Sequence, residues 1–172
     1  MKKKYLLVDG YNVLYGWKYL KELLDKDAEA ARGALQDMLC NYQGFTKDEV
    51  VLVFDGYKNK NQAETVMQYH NITIIYTKEA QTADTYIEKI NQTLAKEQIV
   101  RVVTSDFAQQ KIILGQGATR VPIREFAIEL KMMNKEIQKE YLEKLKRRNC
   151  LIDNLDEKTA AMLEKLRLTE DL

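Results

Sequence analysis

Two cysteines, one histidine and one proline are all that this 172-residue chain holds of those three types. Cys40 and Cys150 lie far apart, and neither has a cysteine or histidine at metal-ligand spacing. With His70 as the single histidine, composition argues against zinc sites and against Cys-His or Ser-His-Asp catalysis. Two isolated thiols fit a reducing cytosol, so a cytoplasmic location is expected. Long hydrophobic runs are also missing. Lys2-Lys3-Lys4 could open a signal peptide, but only four apolar residues follow before Asp9 interrupts, too few for an h-region or a membrane span. Pro122 fits a strand end and little else. Neither sign of charge dominates, since the net charge is +1. The charge is uneven, however. Seven Lys/Arg and three Glu between Lys131 and Arg148 make a local +4 and leave −3 on the other 154 residues. An acidic body with one basic helix is compatible with gripping a phosphate backbone beside a metal site; the alternative is a solvated amphipathic helix.

What is present centres on Lys4 to Asn12, KYLLVDGYN. The apolar run Tyr5-Leu6-Leu7-Val8 ends on Asp9, and Gly10 eases the exit. Val50 to Phe54 likewise ends on Asp55-Gly56, and Ile99 to Val103 on Thr104-Ser105-Asp106. Three buried strands that each stop at an aspartate predict an acidic cluster at the carboxyl edge of a parallel sheet, where open α/β sheets bind their ligands. Between the strands, helical spacing predicts a helix over Val13 to Leu24, with Gly16 a weak point. A second, capped by Asp27, carries the stripe Ala28, Ala31, Leu35, Met38, Leu39 and Tyr42 and closes at Gly44. A polar loop over Gly56 to Asn61 leads to a short helix ending near Tyr69. His70-Asn71 then turns into the strand Ile72 to Tyr76. Helices follow over Thr82 to Lys96 and Asp106 to Leu114, then a short strand over Ala118 to Pro122. A long helix spans Arg124 to Arg148, and a last one lies near Glu157 to Arg167. Strands alternating with helices imply an α/β fold whose parallel sheet is covered on both faces. With 172 residues the chain fits one domain and a small appendage: 1–150, then a helical extension over 151–172.

Asp84 joins the three strand-end aspartates from the first turn of its helix, and Glu88 lies on the same face one turn on. Ionised carboxylates held together repel one another. A divalent cation resolves that repulsion, and an all-oxygen set selects Mg²⁺ or Mn²⁺. A metal-activated water attacking a phosphodiester is the natural chemistry. Each acid also has a structural alternative: Asp55-Gly56 is a common turn pair, and Asp84 or Asp106 can cap a helix. Asn12 either orients a water or phosphate or caps the next helix. Ser105 either contacts phosphate or caps, and Tyr11 can stack on an unpaired base. A dinucleotide-binding turn is absent, and the spacing after Asp9 suits neither a phosphoryl receiver nor a haloacid-type phosphatase.

VDGYN at Val8 to Asn12, VFDG at Val53 to Gly56, TADTYIEK at Thr82 to Lys89 and VTSD at Val103 to Asp106 resemble, in that order, the NYN-domain, PIN-like nucleases, and among them the bacterial YacP-like branch. The resemblance implies a PIN-like three-layer α/β/α sandwich with endoribonuclease activity over residues 1–150. It implies Asp9, Asp84 and Asp106 as metal-binding acids with Asp55 and Glu88 beside them, and a catalytic set of Asp9, Asn12, Asp84 and Asp106. Single-stranded RNA, mRNA in a ribosomal context above all, is the implied substrate. Tyr11, Ser105, Lys135, Lys139, Lys146, Arg147 and Arg148 are the expected RNA contacts. The rival expectation is an RNA- or ribosome-binding adaptor of the same shape that does not cut.

Overall fold

The computed structural model describes residues 2–56, 63–105, 115 and 117–153, without the side chains of 146–153. Six strands form one sheet: β1 (Lys4–Asp9), β2 (Glu49–Phe54), β3 (Thr65–Tyr69), β4 (Ile72–Tyr76), β5 (Ile99–Val103) and β6 (Thr119–Val121). Five helices stand among the described residues: α1 (Gly10–Gly16), α2 (Lys18–Leu24), α3 (Ala28–Thr46), α4 (Ala83–Leu94) and α5 (Ile123–Asp153). Strand order is β3-β4-β2-β1-β5-β6, and every pairing is parallel except β3 with β4. The chain separates into two compact units, residues 1–131 and 132–172; the first holds the whole sheet.

The central strands are continuous apolar runs because both faces of the sheet are covered. Leu7, Val53, Ile75, Val100 and Val102 form one buried layer with Ala83 and Ile87 of α4. Residues of the opposite parity meet α3, whose Ala31, Leu35, Leu39 and Tyr42 are buried as the stripe predicts. There Arg101 of β5 makes a two-pronged ion pair with Glu129 of α5, at 2.7 and 3.0 Å, and Tyr42 Oη joins both partners at 2.8 and 2.9 Å. Arg101 and Tyr42 hold the Glu129 carboxyl below its ordinary value, against the opposing effect of burial.

Asp27 caps α3 as expected, accepting from the backbone N–H of Glu29 and Ala30. The helix runs past Gly44 to Thr46 and stops where Lys47 turns left-handed, at φ 63°. Two expectations change. The helix expected over Val13 to Leu24 is two helices, broken at an extended Trp17. The break turns the indole toward Phe126, with ring centroids 6.0 Å apart, and Trp17 Nε1 donates to the Ile123 carbonyl at 3.1 Å. The segment expected to be a helix ending near Tyr69 is the strand β3, joined to β4 by the two-residue turn His70-Asn71. Its residues are exposed or nearly so on both faces, so no alternation marks it in the sequence. The helices expected over Asp106 to Leu114 and Glu157 to Arg167 lie outside the described residues.

Candidate functional site

The chain steps from β1 through β2 to β4 on one side of the sheet, then crosses to β5 on the other. The switch point therefore falls between β1 and β5, at whose carboxyl ends open α/β sheets form their crevice. Successive strand side chains alternate between faces. Leu7, Val53, Ile75 and Val102 point to the α4 layer, and the residues two further on, Asp9, Asp55, Thr77 and Thr104, follow them at the edge.

Asp9 ends β1 and is only 4% exposed. It caps α1: its Oδ1 accepts from the Asn12 backbone N–H at 2.9 Å, and its Oδ2 from Asn12 Nδ2 at 2.8 Å. This tight turn needs Gly10, where a Cβ would overlap the Phe54 ring. The Asn12 amide reaches across the switch point. Its Nδ2 lies 3.3 Å from Thr104 Oγ1, and its Oδ1 accepts from Ser105 Oγ at 2.8 Å. The capping considered for Asn12 thus belongs to Asp9, with Asn12 as the donor.

Asp84 approaches Asp9 from the first turn of α4, whose cap is Thr82. Burial pushes the Asp9 carboxyl up to about 7, and the charge and hydrogen bond of Asp84 push the same way, while the Asn12 donors pull against them. Two carboxyls 75 positions apart in sequence thus share one shielded place at the switch point.

Asp55 plays a different part. Its Oδ1 accepts from the backbone N–H of Ala83 at 2.5 Å, so it anchors the amino end of α4, where a negative charge also suits the helix dipole. Around it, Gly56 N donates to Thr77 Oγ1 at 3.0 Å, Thr77 N to the Phe54 carbonyl at 3.0 Å and Thr77 Oγ1 to the Gln81 carbonyl at 2.6 Å. A Cβ on Gly56 would overlap the Thr77 carbonyl. The exits of β2 and β4 are stitched together beneath the residue that precedes Asp84. Sequence reasoning passed over Thr77, though a buried threonine directly after an apolar strand is a usable signal.

Glu88 lies half-buried one turn beyond Asp84, and Asp106 lies outside the described residues. Among the described residues no three acidic, histidine or cysteine side chains converge as a metal-holding group. The pair that does converge, Asp9 and Asp84, offers hard oxygen donors only, which suits Mg²⁺ or Mn²⁺. Tyr11 is buried, its ring edge-on to Phe54 at 5.4 Å, so it packs the core while its neighbour Tyr15 is the exposed ring. In the second unit Lys135 and Lys139 are exposed one turn apart on α5. Lys146, Arg147 and Arg148 fall within the same helix, and their side chains lie outside the described residues. No helix among the described residues is long and apolar enough to cross a membrane.

A mostly parallel sheet with an antiparallel edge hairpin, and an acid pair at its switch point, defines a PIN-like α/β domain of the NYN kind. The likeness to known proteins is specific: the chain belongs to the YacP-like NYN domain family, whose family model matches residues 6–168. It is 38% identical over 135 residues to the uncharacterized protein YacP of Bacillus subtilis, covering 78% of this chain and 79% of that one. The crystal structure of Rae1 (YacP) from Bacillus subtilis superposes with a TM-score of 0.72 at 33% identity, over 99% of this chain and 97% of that one. A mutant form of the same protein gives 0.71 at 31% identity, over 94% and 99%. Membership of this family is consistent with a nuclease.

Proposed function

We propose that this chain is a Mg²⁺- or Mn²⁺-dependent endoribonuclease acting on single-stranded RNA, with mRNA engaged in translation as its substrate class. The observation that carries the reading is the approach of Asp9 to Asp84 at the switch point, where burial and the neighbouring acid push the Asp9 carboxyl up. Such an arrangement costs a folded protein stability, and a divalent cation offsets that cost by taking the place of a proton.

Asp9 and Asp84, with Asp106 as the third acid and Asp55 and Glu88 nearby, would hold the cation. When bound, the cation supplies a water of lowered pKa and charge neutralisation for the scissile phosphodiester. The chain's own residues prepare the place. Asn12 holds both oxygens of Asp9, Asp55 fixes where α4 begins and hence where Asp84 stands, and Thr104 is buried beneath the Asn12 amide. The exposed Lys135 and Lys139, with Lys146, Arg147 and Arg148 further along α5, would give salt-sensitive contacts to the RNA backbone. Products with 5′-phosphate and 3′-hydroxyl ends are expected of a PIN-like enzyme.

The test is incubation of the chain with single-stranded RNA and with translating ribosomes, in Mg²⁺, in Mn²⁺ and in EDTA, with new 5′ ends mapped for wild type and Asp84→Asn. Metal-dependent ends that vanish in the variant support the reading. RNA binding that persists in EDTA with no cleavage under any condition rejects it in favour of an adaptor.

A further inference from the structure

We infer that Ser105 is a positioning residue for the acid site, acting through the Asn12 amide rather than on RNA. This inference rests on the nuclease reading above, because the ion is what the positioned acid would hold.

The argument starts from the inventory of donors and acceptors. Asn12 donates to both oxygens of Asp9, through its backbone N–H to Oδ1 at 2.9 Å and through Nδ2 to Oδ2 at 2.8 Å, so the NH₂ end of its amide faces Asp9. The carbonyl end then points away, to Ser105 Oγ at 2.8 Å, and an amide oxygen only accepts. Ser105 must therefore donate. A serine hydroxyl has one proton, and here it is spent on Asn12. What Ser105 offers outward is lone pairs, which a negatively charged phosphate oxygen cannot use. A direct role in gripping the RNA backbone is thus disfavoured by the same bond that ties Ser105 to the site.

The tie does mechanical work as well. The terminal torsion of asparagine is broad and roughly two-fold, so an amide held at one end only can rock or turn over. Asn12 is held from two strands: Asp9 at the end of β1 draws its NH₂ group, and Ser105 beyond β5 fixes its oxygen. Thr104 Oγ1, at 3.3 Å from Nδ2, is a longer contact, and a hydroxyl there can serve either orientation of the amide. Ser105 completes a chain of hydrogen bonds that crosses the switch point, and each link polarises the next. Removing it frees the amide and loosens a side chain that holds Asp9 by its Oδ2. Partners that touch a metal-binding carboxylate directly, as Asn12 does, are worth about 10–100-fold in metal affinity, and a residue one step further out acts below that range.

The experiment uses the full chain and Mn²⁺ alone as the probe, read as the rise in melting temperature, with RNA affinity measured separately in EDTA. Ser105→Ala should need about two- to tenfold more Mn²⁺ for half the wild-type rise, below the range of a direct partner. Ser105→Thr, which keeps the hydroxyl, should restore the wild-type midpoint, and RNA affinity in EDTA should stay the same in all three proteins. A second measurement guards against a general loss of stability: the Asn12 side-chain NH₂ protons should exchange with water faster in the alanine variant and at the wild-type rate in the threonine variant. An unchanged Mn²⁺ midpoint in Ser105→Ala overturns the inference and leaves the nuclease reading standing. So does a fall in RNA affinity in EDTA with no change in the midpoint, which would assign Ser105 to RNA. A wild type whose melting temperature ignores Mn²⁺ overturns the nuclease reading itself, and this inference with it.

Discussion

Replacing Asp84 by asparagine should make the metal-free protein more stable at alkaline pH while abolishing cleavage. Asp9 titrates at about 7 in the folded chain against an ordinary 3.8, chiefly because it is buried and then because Asp84 stands beside it. Between those values the unfolded chain has released its proton and the folded chain retains it. Folding is therefore favoured at low pH and loses about 1.4 kcal/mol for each pH unit up to about 7. From pH 5 to pH 8 that is about 3 kcal/mol. Asp84→Asn removes the repelling charge and leaves the burial. A gain of roughly 1–2 kcal/mol is expected at pH 8, or roughly 2–8 °C for a chain of this size. At pH 5 the folded Asp9 carboxyl is already protonated, and the gain should shrink toward zero. Asp9→Asn should gain less, because an amide NH₂ can then face Asn12 Nδ2, and two opposed donors cost about 1 kcal/mol or more. The assay is thermal and urea unfolding in EDTA at pH 5, 6, 7 and 8, beside RNA cleavage in Mg²⁺. An Asp84→Asn protein that is less stable than wild type at pH 8, or whose advantage does not change with pH, refutes the reasoning.

Mn²⁺ binding should strengthen with pH up to about 7 and level off above, because the cation displaces the proton of the Asp9 carboxyl. Calorimetry in buffers of different ionisation heats should count about one proton released per ion near neutrality, and binding independent of pH between 5 and 7 would contradict this. Gly56→Ala forces a Cβ against the Thr77 carbonyl and should cost about 1–3 kcal/mol, seen as a lower melting temperature. It should also slow cleavage, because the neighbouring Asp55 anchors α4. A double-mutant cycle on Arg101→Met and Glu129→Gln should show a coupling of about 1–3 kcal/mol at pH 7. Glu129 is held below its ordinary value, so the stability it contributes is present above pH 4.5 and should be lost as pH falls through its folded value; urea titrations down to pH 3 would check this.

Much of this molecule can be read from its residues, for reasons that also explain the failures. β1, β2, β4 and β5 announce themselves as unbroken apolar runs because α/β layers bury both their faces. Asp27 and the α3 stripe follow from local chemistry alone. β3 escapes because an edge strand exposed on both faces carries no period of two; the β-branched Thr65 and Val66 and a two-residue turn were its only marks. The break at Trp17 escapes because it is decided by a partner, Phe126, over a hundred residues away. At the site, the aspartate at the end of β1 is legible from strand and glycine together. Its neighbours are not, because meeting Asp84 requires the sheet order and the crossover of α4. Asp55 shows the limit most clearly: as a strand-end acid it looks equivalent to Asp9, yet one backbone N–H of α4 gives it a structural task.

The polar knot of Arg101, Glu129 and Tyr42 has a consequence for the opposite side of the sheet. Along β5, side chains alternate, so a slip of one position would drive the guanidinium into the aliphatic layer beneath α4 and turn Val102 toward the knot. The salt link forbids that slip. It acts as a registration pin for the strand, and Thr104 and Ser105, the next residues along, inherit their heights above the crevice from it. Alignment at the crevice is thus secured from a face that stays out of its reach.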